Sequence, residues 1–298
     1  MREGLDVLAI GNINIDISFF VSKAPESDME ALADDFAIFH GGAAANFSVG
    51  MARLGVNCGI LGCVGDDDFG RRALEELERE GISTECVTRI AGGRTGAVCV
   101  MVEEAGTRRM IAYRGANGRI EEHLRKKLPE CHSKIIQLCN VNRKVLRTAL
   151  ELGKGAIISL DPGGAAAEIK PEDLAGVDFI FLNDLECKMI TGKPMKDGMK
   201  LLAQNVPTVV VKQGSEGATM LDAGVEIKAY ALKVDVLDTT GAGDAFDAGF
   251  IAAISKGLTK REALSLGIAV AALKIQKKGA REGLPSIQEL MRFLDGKK

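Results

Sequence analysis

Six short apolar runs, separated by amphipathic stretches, constrain the fold of this chain more than any other feature. Strands buried on both faces read as nearly continuous apolar runs, and parallel strands need long crossovers, usually helices. The runs are Val7–Ile10, Gly59–Val64, Ile135–Leu138, Ala156–Asp161, Phe179–Leu182 and Val209–Lys212. The helical patterns between several of them include Gly70–Glu80, Val145–Leu152 and Met199–Asn205. The alternation predicts an α/β fold with a mostly parallel central sheet and helices on both faces.

Two stretches, at about residues 15–39 and 84–114, depart from this alternation. Both contain β-type patterns, as in Phe36-Ala37-Ile38-Phe39 and Met110-Ile111-Ala112-Tyr113. They predict strands that leave the central sheet and form a small second sheet. An extra edge of the central sheet would explain the same pattern.

The last part of the chain has a different organisation. From Ala242 to Leu294 the pattern is largely helical, with breaks near Gly257 and Lys277–Pro285. No internal repeat, low-complexity tract or obvious linker divides the sequence. Residues 1–298 are therefore interpreted as a single domain, which is large enough to be a complete catalytic domain.

Composition excludes several classes of protein. A net charge of −3, with 27% charged residues, gives no electrostatic reason to expect binding to nucleic acid or to an anionic membrane. The seven cysteines are scattered without a C-x-x-C pair, which favours reduced thiols over a disulfide framework or a zinc site. The start of the chain lacks the apolar core of a signal peptide, and no run approaches the roughly 18 apolar residues of a membrane span. We therefore expect a soluble, cytoplasmic protein.

The segment Asp238–Phe250 carries the strongest chemical signal. Its small residues Gly241, Ala242 and Gly243 leave backbone N–H groups uncovered at the start of a predicted helix, which favours an anion. Asp244 follows directly, and a base beside a phosphate site is what phosphoryl transfer to a hydroxyl requires. A glycine-rich helix start, with Asp244 merely favourable to the helix dipole, would explain the same residues. The G-x-x-x-x-G-K-[ST] pattern of a P-loop does not occur in the sequence.

Two further segments have the composition of a ligand site. Gly41 and Gly42 permit close approach of the backbone to a ligand, and the Asn46 amide offers both a donor and an acceptor to a hydroxyl. Tight packing at a helix start is the alternative explanation. Asn12 and Asp16 follow the first strand, at the edge where open α/β sheets bind ligands, although an ordinary turn would also contain them.

These segments resemble the two signatures of one protein family. Asp238–Phe246 resembles the C-terminal signature of the ribokinase-like, or PfkB, carbohydrate kinases, and His40–Asn46 resembles their N-terminal signature. The similarity extends from about Val7 to Leu294. It implies a ribokinase-like fold in which the small second sheet is a lid over the sugar site. It also implies that the chain forms a homodimer through this lid.

The resemblance assigns roles to individual residues. The backbone of Gly241, Ala242 and Gly243 would form an anion hole around the transferred phosphoryl group, and Asp244 would be the catalytic base. A carboxylate that accepts hydrogen bonds from neighbouring hydroxyls both binds and orients a sugar. The residues that would hold the acceptor are Asn12, Asp16, Gly41, Gly42 and Asn46.

The resemblance also implies a nucleotide and metal side to the site. The residues near the nucleotide would be Lys212, Gly214, Gly217 and Gly279. Asn183 and Glu186 match an N-x-x-E motif that supports Mg²⁺ mainly through water, although a helix cap explains the same pair equally well. Asp238 and Thr240 would bind a monovalent cation such as K⁺ in those members that have such a site.

We therefore interpret the chain as a kinase that transfers the γ-phosphoryl group of ATP, or of another nucleotide, to a hydroxyl of a small sugar. Ribokinases tend to carry a glutamate where Cys139 follows Gln137 and Leu138, so the acceptor stays open. A nucleoside kinase or a sugar-phosphate kinase would share the same features. A non-catalytic protein that binds a sugar or a nucleotide is the alternative from another class.

Overall fold

An eight-stranded sheet lies at the centre of the computed structural model, which describes residues 4–104 and 107–296. Its strands, in spatial order, are β14 (Val225–Ala229), β13 (Ala218–Asp222), β12 (Thr208–Lys212), β11 (Phe179–Asn183), β10 (Ile157–Asp161), β9 (Ser133–Cys139), β1 (Leu5–Gly11) and β4 (Cys58–Leu61). The strands from β12 to β4 are all parallel, which confirms the predicted sheet. The antiparallel hairpin of β13 and β14 at one edge was not predicted from the sequence.

Helices cover both faces of this sheet, as predicted. They are α1 (Ala43–Arg53), α2 (Asp68–Arg79), α3 (Ile120–Lys127), α4 (Arg143–Leu152), α5 (Asp184–Thr191), α6 (Met195–Leu202), α7 (Ala242–Ser255), α8 (Lys260–Lys274) and α9 (Ile287–Asp295). One apolar cluster joins the sheet to α1, α7 and α8, and a second joins its other face to α4, α5 and α6. In the part of the chain that the structure describes, no helix is both long enough and apolar enough to cross a membrane.

The predicted second sheet is confirmed as a separate four-stranded sheet, called here the lid sheet. Its strands, in spatial order, are β3 (Asp35–Gly41), β2 (Asn14–Val21), β7 (Gly96–Glu103) and β8 (Arg108–Tyr113). The alternative, an extra edge of the central sheet, is therefore wrong. The second predicted segment was too long, because β6 (Thr88–Ile90) pairs with β5 (Cys63–Gly65) in a two-stranded sheet of its own.

One predicted strand is divided in the structure. The run Gly59–Val64 contributes to β4 and to β5, which belong to different sheets. Gly62 separates the two strands and packs tightly, since an added Cβ there would lie 2.8 Å from the carbonyl oxygen of Gly11. The continuous apolar pattern reflects burial of both pieces and therefore conceals the break between them.

A disulfide between Cys86 and Cys131 contradicts the expectation that the thiols are all reduced. The two cysteines are 45 residues apart and meet only through the packing of the fold, so no local spacing could have indicated the pair. In the chain-entropy description, closing such a loop stabilises the folded state by about 4 kcal/mol. Such bonds are rare in cytosolic proteins, with those of hyperthermophiles as the main exception.

Candidate active site

A cavity of about 1090 Å³ lies between the lid sheet and the loop that precedes α7. Alternate residues of β2 line one side of it, because side chains two apart on a strand share a face. These are Asn14, Asp16, Ser18 and Phe20. Of the residues predicted to form the site, those that line this cavity are Asp16, Gly42, Asp238, Thr240 and Gly279. The structure thus brings predicted acceptor, cation and nucleotide residues to the same space.

The Asp16 carboxylate is the clearest binding group in this cavity. Its Oδ1 atom is buried and has no hydrogen-bond partner among the described residues. Gly41 packs directly against the carboxylate, and an added Cβ would collide with it, so only glycine fits there. Burial raises the pKa of Asp16 to about 6, although the positive charge of Arg281 opposes the shift. A buried acceptor without a donor is unfavourable, and a ligand hydroxyl would satisfy it.

The turn between β1 and β2 places a second polar side chain beside Asp16. Asn14 Oδ1 accepts a hydrogen bond from Asn117 Nδ2 at 2.7 Å, and Asn117 also binds the backbone of Ile13. Asn14 was not predicted, although its alternation with Asp16 on one strand was a sufficient signal. The predicted Asn12 occupies the turn itself, and its carbonyl oxygen lies where a Cβ on Gly42 would collide.

The predicted base belongs to a chain of hydrogen bonds. Asn46 Nδ2 donates to Asp244 Oδ2 at 2.8 Å, and Asn46 Oδ1 accepts from Arg281 Nε at 2.8 Å. Arg281 Nη2 in turn donates to the carbonyl oxygen of Gly41 at 2.8 Å. Three predicted residues, Gly41, Asn46 and Asp244, are therefore linked through a buried arginine that was not predicted. The amide of Asn46 is oriented by Arg281, and its donor end is turned towards Asp244.

Asp244 combines burial with a helix start. It lies in the first turn of α7, whose N-terminal cap is Gly241, with φ 74°. Burial raises the pKa of Asp244 to about 7, while the hydrogen bond from Asn46 and the charges of Lys212 and Arg281 oppose this shift. A general base works best when its pKa lies near the working pH. The carboxylate therefore has the protonation behaviour that proton transfer near neutral pH requires.

A buried ion cluster lies on the other side of the α7 N-terminus. Lys212 Nζ donates to Asp161 Oδ2 at 2.6 Å and to Asp247 Oδ1 at 3.0 Å. It also lies next to Gly243, since a Cβ added there would be 3.3 Å from the ammonium nitrogen. Burial alone would lower the pKa of Lys212, but the two carboxylates outweigh it and raise the pKa. Asp247, which follows Asp244 by three residues on α7, is thus engaged by Lys212.

Asp161 was missed by sequence reasoning. Burial would raise its pKa, but the charge of Lys212, together with hydrogen bonds from Lys212, Asp247 and the Gly163 N–H, outweighs this and holds the pKa below the usual range. The residue ends β10, at the same edge of the sheet as Asn183 and Lys212, which end β11 and β12. The rule that ligands bind at the carboxyl ends of parallel strands was the signal that could have found it.

Asn183 and Glu186 form a reciprocal cap at the start of α5. Asn183 Oδ1 accepts from the Glu186 backbone N–H at 2.9 Å, and Glu186 Oε2 accepts from the Asn183 backbone N–H at 2.8 Å. Burial raises the pKa of Glu186, and the nearby negative charge of Asp161 raises it further. A carboxylate whose ionised form is disfavoured by burial and by a neighbouring acid fits a divalent cation held mainly through water.

The predicted nucleotide glycines have backbone conformations that favour glycine. Gly214 and Gly217, with φ 57° and 100°, lie in the turn that follows β12 and Lys212. Gly217 is also enclosed by the hairpin, because an added Cβ would collide with the carbonyl oxygen of Ala229. Gly279 has φ 85°, and its N–H donates to Asp238 Oδ2 at 2.9 Å.

A helix N-terminus with a carboxylate of near-neutral pKa, beside a cavity whose wall contains Asn14, Asp16 and Ser18, is the arrangement of a phosphotransferase that acts on small hydroxyl compounds. The sequence matches the pfkB family carbohydrate kinases over residues 5–287. The chain therefore belongs to the PfkB family of carbohydrate kinases, as the sequence signatures predicted.

Individual relatives agree with this assignment over the whole chain. An ATP-dependent ribose-1-phosphate kinase from Halopiger xanaduensis is 32% identical over 297 residues, which cover 97% of each protein. The crystal structure of ribokinase from Thermotoga maritima is 28% identical, with a TM-score of 0.90 over 98% of this chain and 99% of that one. Arabidopsis thaliana ribokinase, complexed with ribose and ATP, is 26% identical, with a TM-score of 0.84 over 98% and 99%. The ribokinase-like fold and the kinase class are thus confirmed.

Proposed function

We propose that this protein is an ATP-dependent kinase that phosphorylates a hydroxyl of a small sugar held beneath the lid sheet. The observation that carries the proposal is the position of Asp244, which is hydrogen-bonded to Asn46 in the first turn of α7 and has a pKa of about 7. A silent binding protein would have no use for a tuned carboxylate beside an anion site.

The acceptor would be held by side chains of β2 and by the start of α1. Its hydroxyls would donate to the Asp16 carboxylate, whose Oδ1 has no other donor among residues 4–104 and 107–296. Gly42 and Asn14 line the wall of the cavity, and Gly41 packs against the Asp16 carboxylate. Asn46, predicted to contact the sugar, already spans Asp244 and Arg281, so we assign it to orienting the base as well.

Asp244 would take the proton of the attacking hydroxyl. As the hydroxyl oxygen bonds to the γ-phosphorus of ATP, the bond from that phosphorus to the β-phosphate oxygen breaks, and ADP leaves. The backbone N–H groups of Gly241 and Gly243 would stabilise the charge on the transferred group. The N–H of Ala242, also predicted for the anion hole, donates instead to the Thr239 carbonyl oxygen at 3.1 Å. The product is a sugar phosphate, and the proton remains on Asp244 until solvent removes it.

The donor would lie across the carboxyl ends of β11 and β12, along Lys212, Gly214 and Gly217. Relatives support ATP as the donor, since one is named as ATP-dependent and another was solved with ATP. Glu186 and Asn183 would hold Mg²⁺ mainly through water, and the ion supplies charge neutralisation on the donor phosphates.

A sugar phosphate is the second candidate for the acceptor. Lys278 lines the cavity, with its Nζ 5.9 Å from the centre of the Phe20 ring. A lysine in the cavity that also contains Asp16 would bind a phosphate at one end of a sugar while the carboxylate holds the hydroxyls. The ribose-1-phosphate kinase relative makes this the first alternative to a free sugar.

The test is ADP release from Mg-ATP across ribose, deoxyribose, fructose, nucleosides, ribose 1-phosphate and fructose 6-phosphate. In Asp16→Asn, loss of a charged hydrogen bond is expected to lower kcat/KM for the best acceptor by roughly 10- to 100-fold, mainly through KM. Asp35→Asn, an exposed acid on strand β3 of the lid sheet that does not line the cavity, is the control and keeps kcat/KM. Binding of ATP or sugar with no acceptor-dependent turnover would favour a non-catalytic binding protein.

The outer face of the lid sheet supports a homodimer. Phe19, Phe36, Ile38, Ile111 and Tyr113 are exposed there, and the strand register brings them to one side of the sheet. A contiguous apolar face of this kind marks an interaction surface, and a second copy of the chain has a face that matches it. Sedimentation should show twice the mass of one chain, and Ile111→Asp should give the monomer. Val225→Asp, at the far edge of the central sheet, should leave the dimer intact.

A further inference from the structure

A fully buried lysine lies behind the loop that leads to the predicted anion hole. Lys274 is the last residue of α8, and its side chain is 0% exposed. Its Nζ donates to the carbonyl oxygen of Asp238 at 2.9 Å. An ammonium group is strongly hydrated, so its burial is unfavourable unless oxygen atoms and negative charge replace the water. Asp238 provides that replacement.

Asp238 is fixed on every side by hydrogen bonds. Its Oδ1 accepts from the N–H and the hydroxyl of Thr240 at 2.9 and 2.7 Å, and its Oδ2 accepts from the Gly279 N–H at 2.9 Å. Its own N–H donates to the carbonyl oxygen of Ile275 at 3.1 Å. Burial would raise the pKa of Asp238, but these bonds and the charge of Lys274 hold it below the usual range.

This turn leads directly into the predicted anion hole. Gly241, three residues after Asp238, caps α7 and packs against Ala280, since an added Cβ would lie 2.8 Å from the Ala280 carbonyl oxygen. The backbone N–H groups of the hole follow from that cap. A shift of the Asp238 turn would therefore move these N–H groups. Misplacement of catalytic groups by about 1 Å lowers rates by roughly 10²-fold.

The same residues do not fit the monovalent cation that the family resemblance implied. Both carboxylate oxygens of Asp238 and its carbonyl oxygen already accept hydrogen bonds. The Lys274 ammonium supplies a positive charge at this position, and it would repel a second cation in a buried region of low dielectric. The predicted K⁺ site at Asp238 and Thr240 is therefore at odds with the structure.

We propose that the Lys274 ammonium is a built-in monovalent cation that positions the Asp238 turn and, through it, the anion hole. Lys274 is a positioning residue, because it contacts the turn and not the reacting atoms. The enzyme should consequently work without K⁺ or any other alkali-metal ion. The proposal depends on the proposed kinase function only for its activity readout.

The unmodified protein provides the first test. Thermal stability and ATP-dependent turnover are measured in KCl and in tetramethylammonium chloride at equal ionic strength. Both quantities should be the same in the two salts, because a ligand that does not bind shifts no equilibrium. Stimulation by K⁺, accompanied by a K⁺-specific rise in Tm, would overturn the proposal. The Tm comparison needs neither turnover nor a variant, so it decides the question even if the acceptor is never found or a substitution prevents folding.

Two variants test the charge of the Lys274 side chain separately from its volume. Lys274→Ala removes the ammonium and leaves room for an ion, whereas Lys274→Met removes the charge and keeps most of the volume. In tetramethylammonium both should lose about 10²-fold in kcat/KM. K⁺ or NH₄⁺ should restore activity and raise Tm in Lys274→Ala but not in Lys274→Met.

The matched control is Lys256→Ala. Lys256 follows α7, and its Nζ donates to a backbone carbonyl, that of Leu54, at 2.8 Å, but it lies away from the Asp238 turn. The Lys256→Ala variant should keep its activity and show no response to K⁺. Full activity of Lys274→Ala in tetramethylammonium, or an equal response to K⁺ in all three variants, would contradict a positioning role for Lys274.

Discussion

Asp244→Asn is expected to lower kcat by roughly 10²- to 10⁴-fold and to leave KM for the acceptor nearly unchanged. Asparagine keeps the shape of the side chain and can still accept the hydrogen bond that Asn46 donates. It cannot take a proton from the attacking hydroxyl. Steady-state kinetics with the best acceptor measure the effect, and near-normal turnover would rule out Asp244 as the base.

The same carboxylate should set the pH dependence of the enzyme. A general base is active when deprotonated, and burial raises the pKa of Asp244 to about 7. For the free enzyme, kcat/KM should therefore fall about tenfold for each pH unit below that value and level off above it. This fall of kcat/KM at low pH should be absent from the residual activity of Asp244→Asn.

As the pH rises through 7, the free energy of unfolding should fall while the activity rises. The folded pKa of Asp244 is raised from 3.8 to about 7, so its contribution to stability is present below pH 3.8 and is lost as the pH rises through 7. At pH 8 the ionised side chain destabilises the fold, by as much as about 4 kcal/mol. Asp244→Asn should therefore be more stable than the unmodified protein in urea at pH 8, and this gain should vanish near pH 4.

Asp68→Asn is the control for these measurements. Asp68 lies in the first turn of α2, as Asp244 lies in the first turn of α7, but it is exposed and pairs with Arg71 at the surface. Its substitution should leave kcat unchanged and should not stabilise the protein at pH 8. A variant that loses both activity and stability at position 244 would indicate a damaged fold rather than a missing base.

The sequence predicted those parts of the site that depend on local pattern. Asp244 and Gly241 were recognisable because a loop, a helix start and an acid occur together within a few residues. Asp16 was recognisable because it follows a strand at the edge where ligands bind. Asn14 and Asp161 carried comparable signals, alternation in one case and a strand end in the other. Their omission reflects incomplete use of the pattern.

Other residues had no local signal to use. Arg281 and Lys274 are charged side chains whose burial depends on partners far away in the sequence, Asn46 for one and Asp238 for the other. Lysine and arginine are expected to be solvated when only the sequence is known, since they are seldom buried unpaired. The Cys86–Cys131 disulfide and the break within Gly59–Val64 likewise depend on packing between elements.

Lys212→Met is expected to destabilise the protein by about 3–5 kcal/mol, because removing one partner of a buried ion cluster leaves uncompensated charge. The side chains of Lys212, Asp161 and Asp247 are only 15%, 16% and 2% exposed. The charge of Lys212 helps to hold the pKa of Asp161 low, so in Lys212→Met this pKa rises and the carboxylate that is still ionised at pH 8 has no cation beside it. Urea unfolding at pH 8 measures the loss, and KM for ATP should rise because Lys212 lies next to Gly243.

Lys260→Met is a closely matched control. Lys260 Nζ lies 2.6 Å from Asp222 and 5.7 Å from the centre of the Phe179 ring, as Lys212 Nζ lies 2.6 Å from Asp161 and 5.9 Å from the Phe181 ring. The Lys260 side chain is 38% exposed, so its ion pair is screened by water and should contribute no more than about 1 kcal/mol. Equal losses in the two variants would contradict the idea that burial makes the Lys212 cluster different.

A double-mutant cycle separates the charge from the packing. Lys212→Met leaves the Asp161 carboxylate without a cation, and Asp161→Asn removes that carboxylate. The double variant should therefore recover part of the stability lost in Lys212→Met. Recovery should be larger at pH 8 than near pH 4, where the Asp161 carboxylate of the single variant takes up a proton and becomes neutral. Additive losses at both pH values would mean that Lys212 stabilises the fold through its alkyl chain against Phe181 rather than through its charge.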